Sequence, residues 1–212
     1  MDNRHEVKFV TTMKKLTSTM IVLALFAWPG LTQSLSKTDR SRLVEHFRQT
    51  QAELVRSTKG LSEAQIHFRP AKDAWSIAEC MEHIAISEKN IFSLVEMALQ
   101  TEPDPLRRHE VQMSDEQVLG LINSRERKVK TRPEFEPNNN FGDYQGSLIA
   151  FKEQRKENLI FVKKTDEDLR NRYCTLPFGT IDAYQTLLFL SGHLHRHTDQ
   201  IKEIKASANF PG

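Results

Sequence analysis

The sequence predicts an all-α protein, a four-helix bundle preceded by an N-terminal signal segment. Three observations carry that expectation. Four long stretches repeat apolar side chains at helical spacing, with charged residues between them. The stretches that join them collect the prolines and asparagines that interrupt helices. Only eight Gly and eight Pro stand against 30 Lys plus Arg in 212 residues, too few turn formers for a many-stranded all-β chain.

The first helix is read over residues 37–59, where Leu43, Phe47, Leu54 and Val55 recur on one side and Gly60 stops the run. "LSEAQIHFRPAKDAWS" is a connection containing Pro70. The second long helix covers 77–100, with Ser76 as N-cap and Glu79 three residues on, the spacing of a capping box. "TEPDPLRRHE" breaks the pattern with two prolines. A shorter helix follows in "SDEQVLGLINSRERKVK", capped by Ser114 with Gln117 at the capping-box position. "TRPEFEPNNNFGD" reads as a loop. The third long helix is expected over 144–172, with Leu148, Phe151, Leu159 and Val162 inward. "YCTLPFGTIDAY" reads as a turn, and "QTLLFLSGHLHRHTDQIKEIK" as the fourth long helix. No strand run is expected. Residues 37–212 thus form one domain, large enough to bury a core that needs no metal to fold.

Residues 1–36 are different. Lys14 and Lys15 precede the apolar run Met20–Trp28, and Pro29 and Gly30 break it before small and polar residues. This is the pattern of a cleavable signal peptide, with Met13 as an alternative start and cleavage expected between Thr32 and Ser36. The run falls well short of the ~20 residues that span a bilayer, so no stable membrane anchor is expected after cleavage. The mature chain is then secreted or periplasmic. Of the net charge of +2, all resides in this leader; the remainder holds 26 basic and 26 acidic residues. With no basic excess to neutralise phosphates, nucleic acid is excluded as a partner. Cys80 and Cys174 are the two cysteines, too few for a disulfide framework. One bridge and two buried thiols both remain open.

Eight histidines offer the candidate chemistry. In "GHLHRHTDQI", His193 and His197 are four apart and share a helix face, whereas His195 points elsewhere and reads as exposed. Two imidazoles at this spacing can bind one metal ion, and a third ligand must come from elsewhere. His46 lies beside Phe47, which takes the inward position, while His67 and His109 fall in connections. His83 shares an apolar face with Cys80, Ile84, Ser87, Ile91 and Leu94. A lone inward histidine is usually a hydrogen-bonded core residue. Three converging ones are hard to satisfy without a cation. Glu79 is the nearest carboxylate to His83, and Gln200 lies one turn beyond His197, where it can reach a ligand or a water.

These same residues carry a family resemblance. "WSIAECMEHI", ending at His83, and "HLHRHTDQI", with His193 and His197, resemble the motifs of the DinB-like superfamily, as do "LSEAQIHFRPAKDAW" and "PFGTIDAYQTLLFLSGH". The similarity runs over about residues 37–205. It implies an up-down-down-up four-helix bundle of DinB-like type. It also implies a divalent metal held by His83, His193 and His197, with positions left for water. Zinc suits three neutral imidazoles best, with nickel, manganese or iron as alternatives. Some members of the superfamily are thiol-dependent transferases and others metal-dependent hydrolases. The expectation is therefore a metal-dependent hydrolase or transferase acting on an unidentified small molecule; the alternative is a non-catalytic metal-binding helical module. Homodimers are compatible with bundles of this type.

Overall fold

The computed structural model describes residues 34–126 and 130–212, so the expected signal segment lies outside the described residues. Four long helices dominate: α1 (Lys37–Thr58), α3 (Ile77–Leu99), α5 (Tyr144–Lys164) and α6 (Ala183–Lys205). The short α2 (Glu63–Ile66) and α4 (Asp115–Asn123) lie between them. Capping boxes start α3 at Ser76 and Glu79 and α4 at Ser114 and Gln117, as the sequence predicts. A further one starts α6 at Asp182 and Gln185.

Side-chain pairs fix the directions of the helices. Along α1 and α6 the contacts advance together: His46 Nδ1 lies 2.8 Å from Ser191 Oγ, and Lys205 Nζ donates to Ser57 O over 2.8 Å. These two helices are parallel. Against α5 the numbering runs oppositely. Arg40 donates to Val162 O over 2.6 Å, while the Arg155 guanidinium lies over the Phe47 ring. Helices α3 and α5 are parallel, with Glu88 against Arg155 and Phe92 against Phe161. Helices α3 and α6 are antiparallel, since His83 near the start of one meets His197 near the end of the other. The topology is up-down-down-up, with α1 and α3 on one diagonal and α5 and α6 on the other.

This order has a structural cost. Because α5 runs the same way as α3, the chain must travel back along the bundle, roughly 35 Å for a helix of this length. Residues 100–126 and 130–143 lie on that return. They contain 3₁₀ turns at Pro105–Glu110 and Pro133–Phe135, with α4 between them. Helix α4 packs on α6 at Gly192, where a Cβ would stand 2.4 Å from Ile122 Cγ2 and 3.3 Å from Leu119 Cδ2. Gly192→Ala is therefore expected to destabilise the fold by about 1–3 kcal/mol through overpacking, read as a lower denaturant midpoint with an unchanged slope. An unchanged midpoint would show that α4 can retreat freely.

Two expectations require correction. The segment after α5 is not a bare turn: Tyr173–Leu176 (β1) and Gly179–Asp182 (β2) form an antiparallel hairpin, with Cys174 opposite Ile181. Neither four-residue strand alternates strictly between buried and exposed positions, so no period-two pattern marks them in the sequence. Helix α5 also ends at Lys164 rather than at 172. There Glu167 N donates to Thr165 Oγ1, and Asn171 N to Asp168 Oδ1, so side chains capture backbone groups that a helix would use. Arg40 caps the freed carbonyl ends at Val162 and Thr165.

The core has two lobes. One gathers Leu43, Val95, Tyr184 and Leu187 near the hairpin; the other gathers Leu54, Ile77, Cys80 and Ile201 at the far end. Cys80 and Cys174 fall in different lobes, and both are free thiols. Of the expected inward positions on α5, Phe151 and Val162 are fully buried, while Leu148 and Leu159 are half-buried.

Candidate metal centre

Helix α3 contributes His83 and α6 contributes His193 and His197, and the three rings converge by their Nε2 atoms. His83 Nε2 lies 3.1 Å from His197 Nε2 and 3.3 Å from His193 Nε2; the last pair is 3.2 Å apart. The i, i+4 spacing stacks the two α6 rings on one face, and the antiparallel α3 brings His83 across from 110 positions earlier. His83 and His197 are buried, and His193 is half-buried.

The outer nitrogens decide the tautomers. His83 Nδ1 is 2.7 Å from the Phe135 carbonyl, and His197 Nδ1 is 2.9 Å from Gln200 Oε1. Both partners are acceptors, so each Nδ1 carries the proton and donates. The corresponding Nε2 atoms are left as lone pairs, facing each other and His193 with no hydrogen to share. Ligands about 2.0–2.1 Å from a tetrahedral ion stand roughly 3.3 Å apart, which is the spacing observed. The three imidazoles therefore fit a single cation.

Burial disfavours the charged form of each ring. It lowers the His83 pKa below the ordinary value, against a small opposing pull from the Phe135 carbonyl. For His193 and His197 burial drives the value well down, and the neighbouring imidazoles push in the same direction. The site is thus held neutral and ready to coordinate. Aromatic rings wall it: Trp75 lies 4.9 Å from His83 and 6.2 Å from His197, and Phe189 lies 6.3 Å from His193.

Two supports were not legible in the sequence. The Phe135 carbonyl is a main-chain group, invisible to residue patterns, and it arrives on the crossover between α3 and α5. Glu82, the neighbour of His83, clasps that crossover by accepting from Asn138 N at 3.1 Å and Asn140 N at 2.7 Å.

Other candidates find different roles. Gln200 is bound to His197 rather than held for a ligand. Glu79 closes the capping box on Ser76 and pairs with Arg69, so it is committed away from the site. Cys80 packs in the core, where burial pushes its thiol up to about 12, and it stays protonated. His195 is not the exposed residue expected: it is half-buried, with Nδ1 3.2 Å from Glu53 and Nε2 3.5 Å from Asp199. Lys202 already serves both carboxylates as their cation. His46 is likewise half-buried, and burial lowers its pKa to about 4. His67 and His109 are exposed, as expected.

The chain resembles known proteins over most of its length. The Bacillus subtilis (strain 168) protein YuaE, itself uncharacterised, is 24% identical over 162 residues, spanning 75% of this chain and 94% of YuaE. Among solved structures, YfiT from Bacillus subtilis superposes with a TM-score of 0.56 at 16% identity, covering 84% of this chain and 93% of YfiT. YfiT is described as a probable metal-dependent hydrolase with an unusual four-helix bundle topology, and the shared property shown here is the fold. The sequence profile of the DinB superfamily matches residues 46–201, which include all three converging histidines, and the chain belongs to that superfamily.

Proposed function

We propose that His83, His193 and His197 hold one divalent metal ion, zinc in first place, and that the protein is a metal-dependent hydrolase or group transferase. The observation that carries this reading is the convergence of three Nε2 atoms within 3.1–3.3 Å, those of His83 and His197 left as lone pairs by their Nδ1 donors. Membership of the DinB superfamily and the fold shared with YfiT favour it. When bound to three neutral imidazoles, such an ion keeps its double charge and an exchangeable position, and so supplies Lewis acidity for a carbonyl, a water or a thiol.

The chain's own residues do the rest. Phe135 O and Gln200 orient two of the rings through their Nδ1 protons, the outer support that metal-binding histidines usually receive. Trp75 and Phe189 limit solvent around the nitrogens. One observation favours the alternative, a binding module without catalysis: among the described residues no carboxylate joins the three histidines. A general base would then have to come from the substrate or from solvent.

Elemental analysis separates these readings from a purely structural role. The purified protein is expected to carry zinc or another divalent metal, and a His83→Ala, His197→Ala double variant to lose it; equal metal in both would sink the assignment. Ester, amide and thiol-transfer substrates screened with and without chelator then distinguish enzyme from module. The leader pattern supports export, which N-terminal sequencing of protein from the native host reads directly. A mature chain still beginning at Met1 or Met13 would refute cleavage.

A further inference from the structure

Ser87 stands one helical turn after His83 and is 1% exposed. Buried hydroxyls on this bundle's helices normally bond back to the carbonyl four residues earlier. Thr198 does so to Leu194 at 2.9 Å, and Ser147 to Asp143 at 2.9 Å. Ser87 does not. Among the described residues its Oγ meets a single polar partner, His83 Nε2, at 3.5 Å, the long limit of a hydrogen bond.

That contact is incompatible with a metal on the same nitrogen. His83 Nδ1 donates to Phe135 O, so Nε2 has one lone pair to offer. A cation shared by the three Nε2 atoms takes it, and the Ser87 hydroxyl, which does not bond back to the His83 carbonyl in this structure, then loses the one acceptor it meets. The side chain is too deeply buried for bulk water to relieve it.

We propose that Ser87 is a positioning residue that donates a hydrogen bond to the ligand occupying the metal's remaining coordination position, and that this favours small ligands with an acceptor lone pair. The inference rests on the metal reading above. It goes beyond it by assigning the hydroxyl to the guest rather than to the imidazoles.

The test uses cobalt(II) as a spectroscopic metal and azide as the probe ligand. Wild-type protein, Ser87→Ala and Ser87→Thr are loaded with cobalt, and the visible band is titrated with azide. The expected result is equal cobalt affinity in all three, with azide binding weakened about tenfold in Ser87→Ala, the scale of one hydrogen bond. Ser87→Thr, which keeps the hydroxyl, is expected within about threefold of wild type by the same reasoning. Azide binding in Ser87→Ala equal to wild type overturns the proposal. So does loss of cobalt affinity in Ser87→Ala, because Ser87 would then be supporting the ligands themselves. A wild type that takes up no cobalt overturns the metal reading first, and the two failures are told apart by the metal content alone.

Discussion

Stripping the metal from the wild-type protein with a chelator is expected to lower its melting temperature by about 8–16 °C. A ligand present at a thousand times its dissociation constant stabilises the native state by about 4 kcal/mol. For a chain of this size each kcal/mol moves the melting temperature by about 2–4 °C. The bundle itself should survive, because both core lobes are built from apolar side chains rather than from the three histidines. The effect should also persist below pH 6.5. Burial lowers all three pKa values, so protons begin to compete with metal only below the pH at which an ordinary histidine is charged. The His83→Ala, His197→Ala variant should melt at one temperature with or without chelator. Differential scanning calorimetry reads both comparisons, and a wild type whose melting ignores chelator would remove the basis for the site.

The second large effect is expected in the core between α3 and α5. Arg155 on α5 is fully buried, Glu88 on α3 is 1% exposed, and their charges meet at 2.6 Å. Asn158 donates to the same carboxylate at 2.7 Å, and the guanidinium lies 4.4 Å over the Phe47 ring. Among the described residues Arg155 Nε and Nη1 have no hydrogen-bond partner, so the pair is incompletely satisfied there. Burial pushes the Glu88 carboxyl above its ordinary range, against the opposite pull of Arg155 and Asn158. Removing one partner strands the other charge: Arg155→Ala should cost about 3–5 kcal/mol, measured by denaturant unfolding. Glu88→Gln should be similarly costly, because it leaves a guanidinium that cannot deprotonate. Replacing both, as Glu88→Leu with Arg155→Met, should recover most of the loss, since apolar pairs of similar volume often match buried ion pairs. A cost below about 1 kcal/mol for Arg155→Ala would place this pair among weak surface bridges and refute the argument.

How far the sequence leads differs from element to element. The starts of α3 and α4 were legible because capping boxes are local: Ser76 with Glu79, and Ser114 with Gln117, act within one turn. The end of α5 was not, since Thr165 and Asp168 end it through bonds to backbone that the apolar pattern does not report. Arg155, Asn158 and Glu88 look like solvated polar residues in one dimension. Only the parallel packing of α3 and α5 turns them inward against each other. His195 misled in the opposite sense, because its carboxylate partner Glu53 belongs to a different helix.

The same division runs through the candidate site. By itself the sequence determined the helical class, the α6 pair His193 and His197, and His83 as the third inward imidazole, because helical periodicity assigns faces from spacing alone. Only the tertiary structure decided that the three Nε2 atoms meet within 3.1–3.3 Å, since that depends on the antiparallel register of α3 against α6. It also decided what stands behind them. The Phe135 carbonyl and the Gln200 amide set which nitrogens keep protons, and the Ser87 hydroxyl stands against the His83 Nε2. Hydrogen bonds are directional and short, and two of these partners lie on the same helix as the histidine they meet. The third comes from a crossover whose path no periodicity encodes.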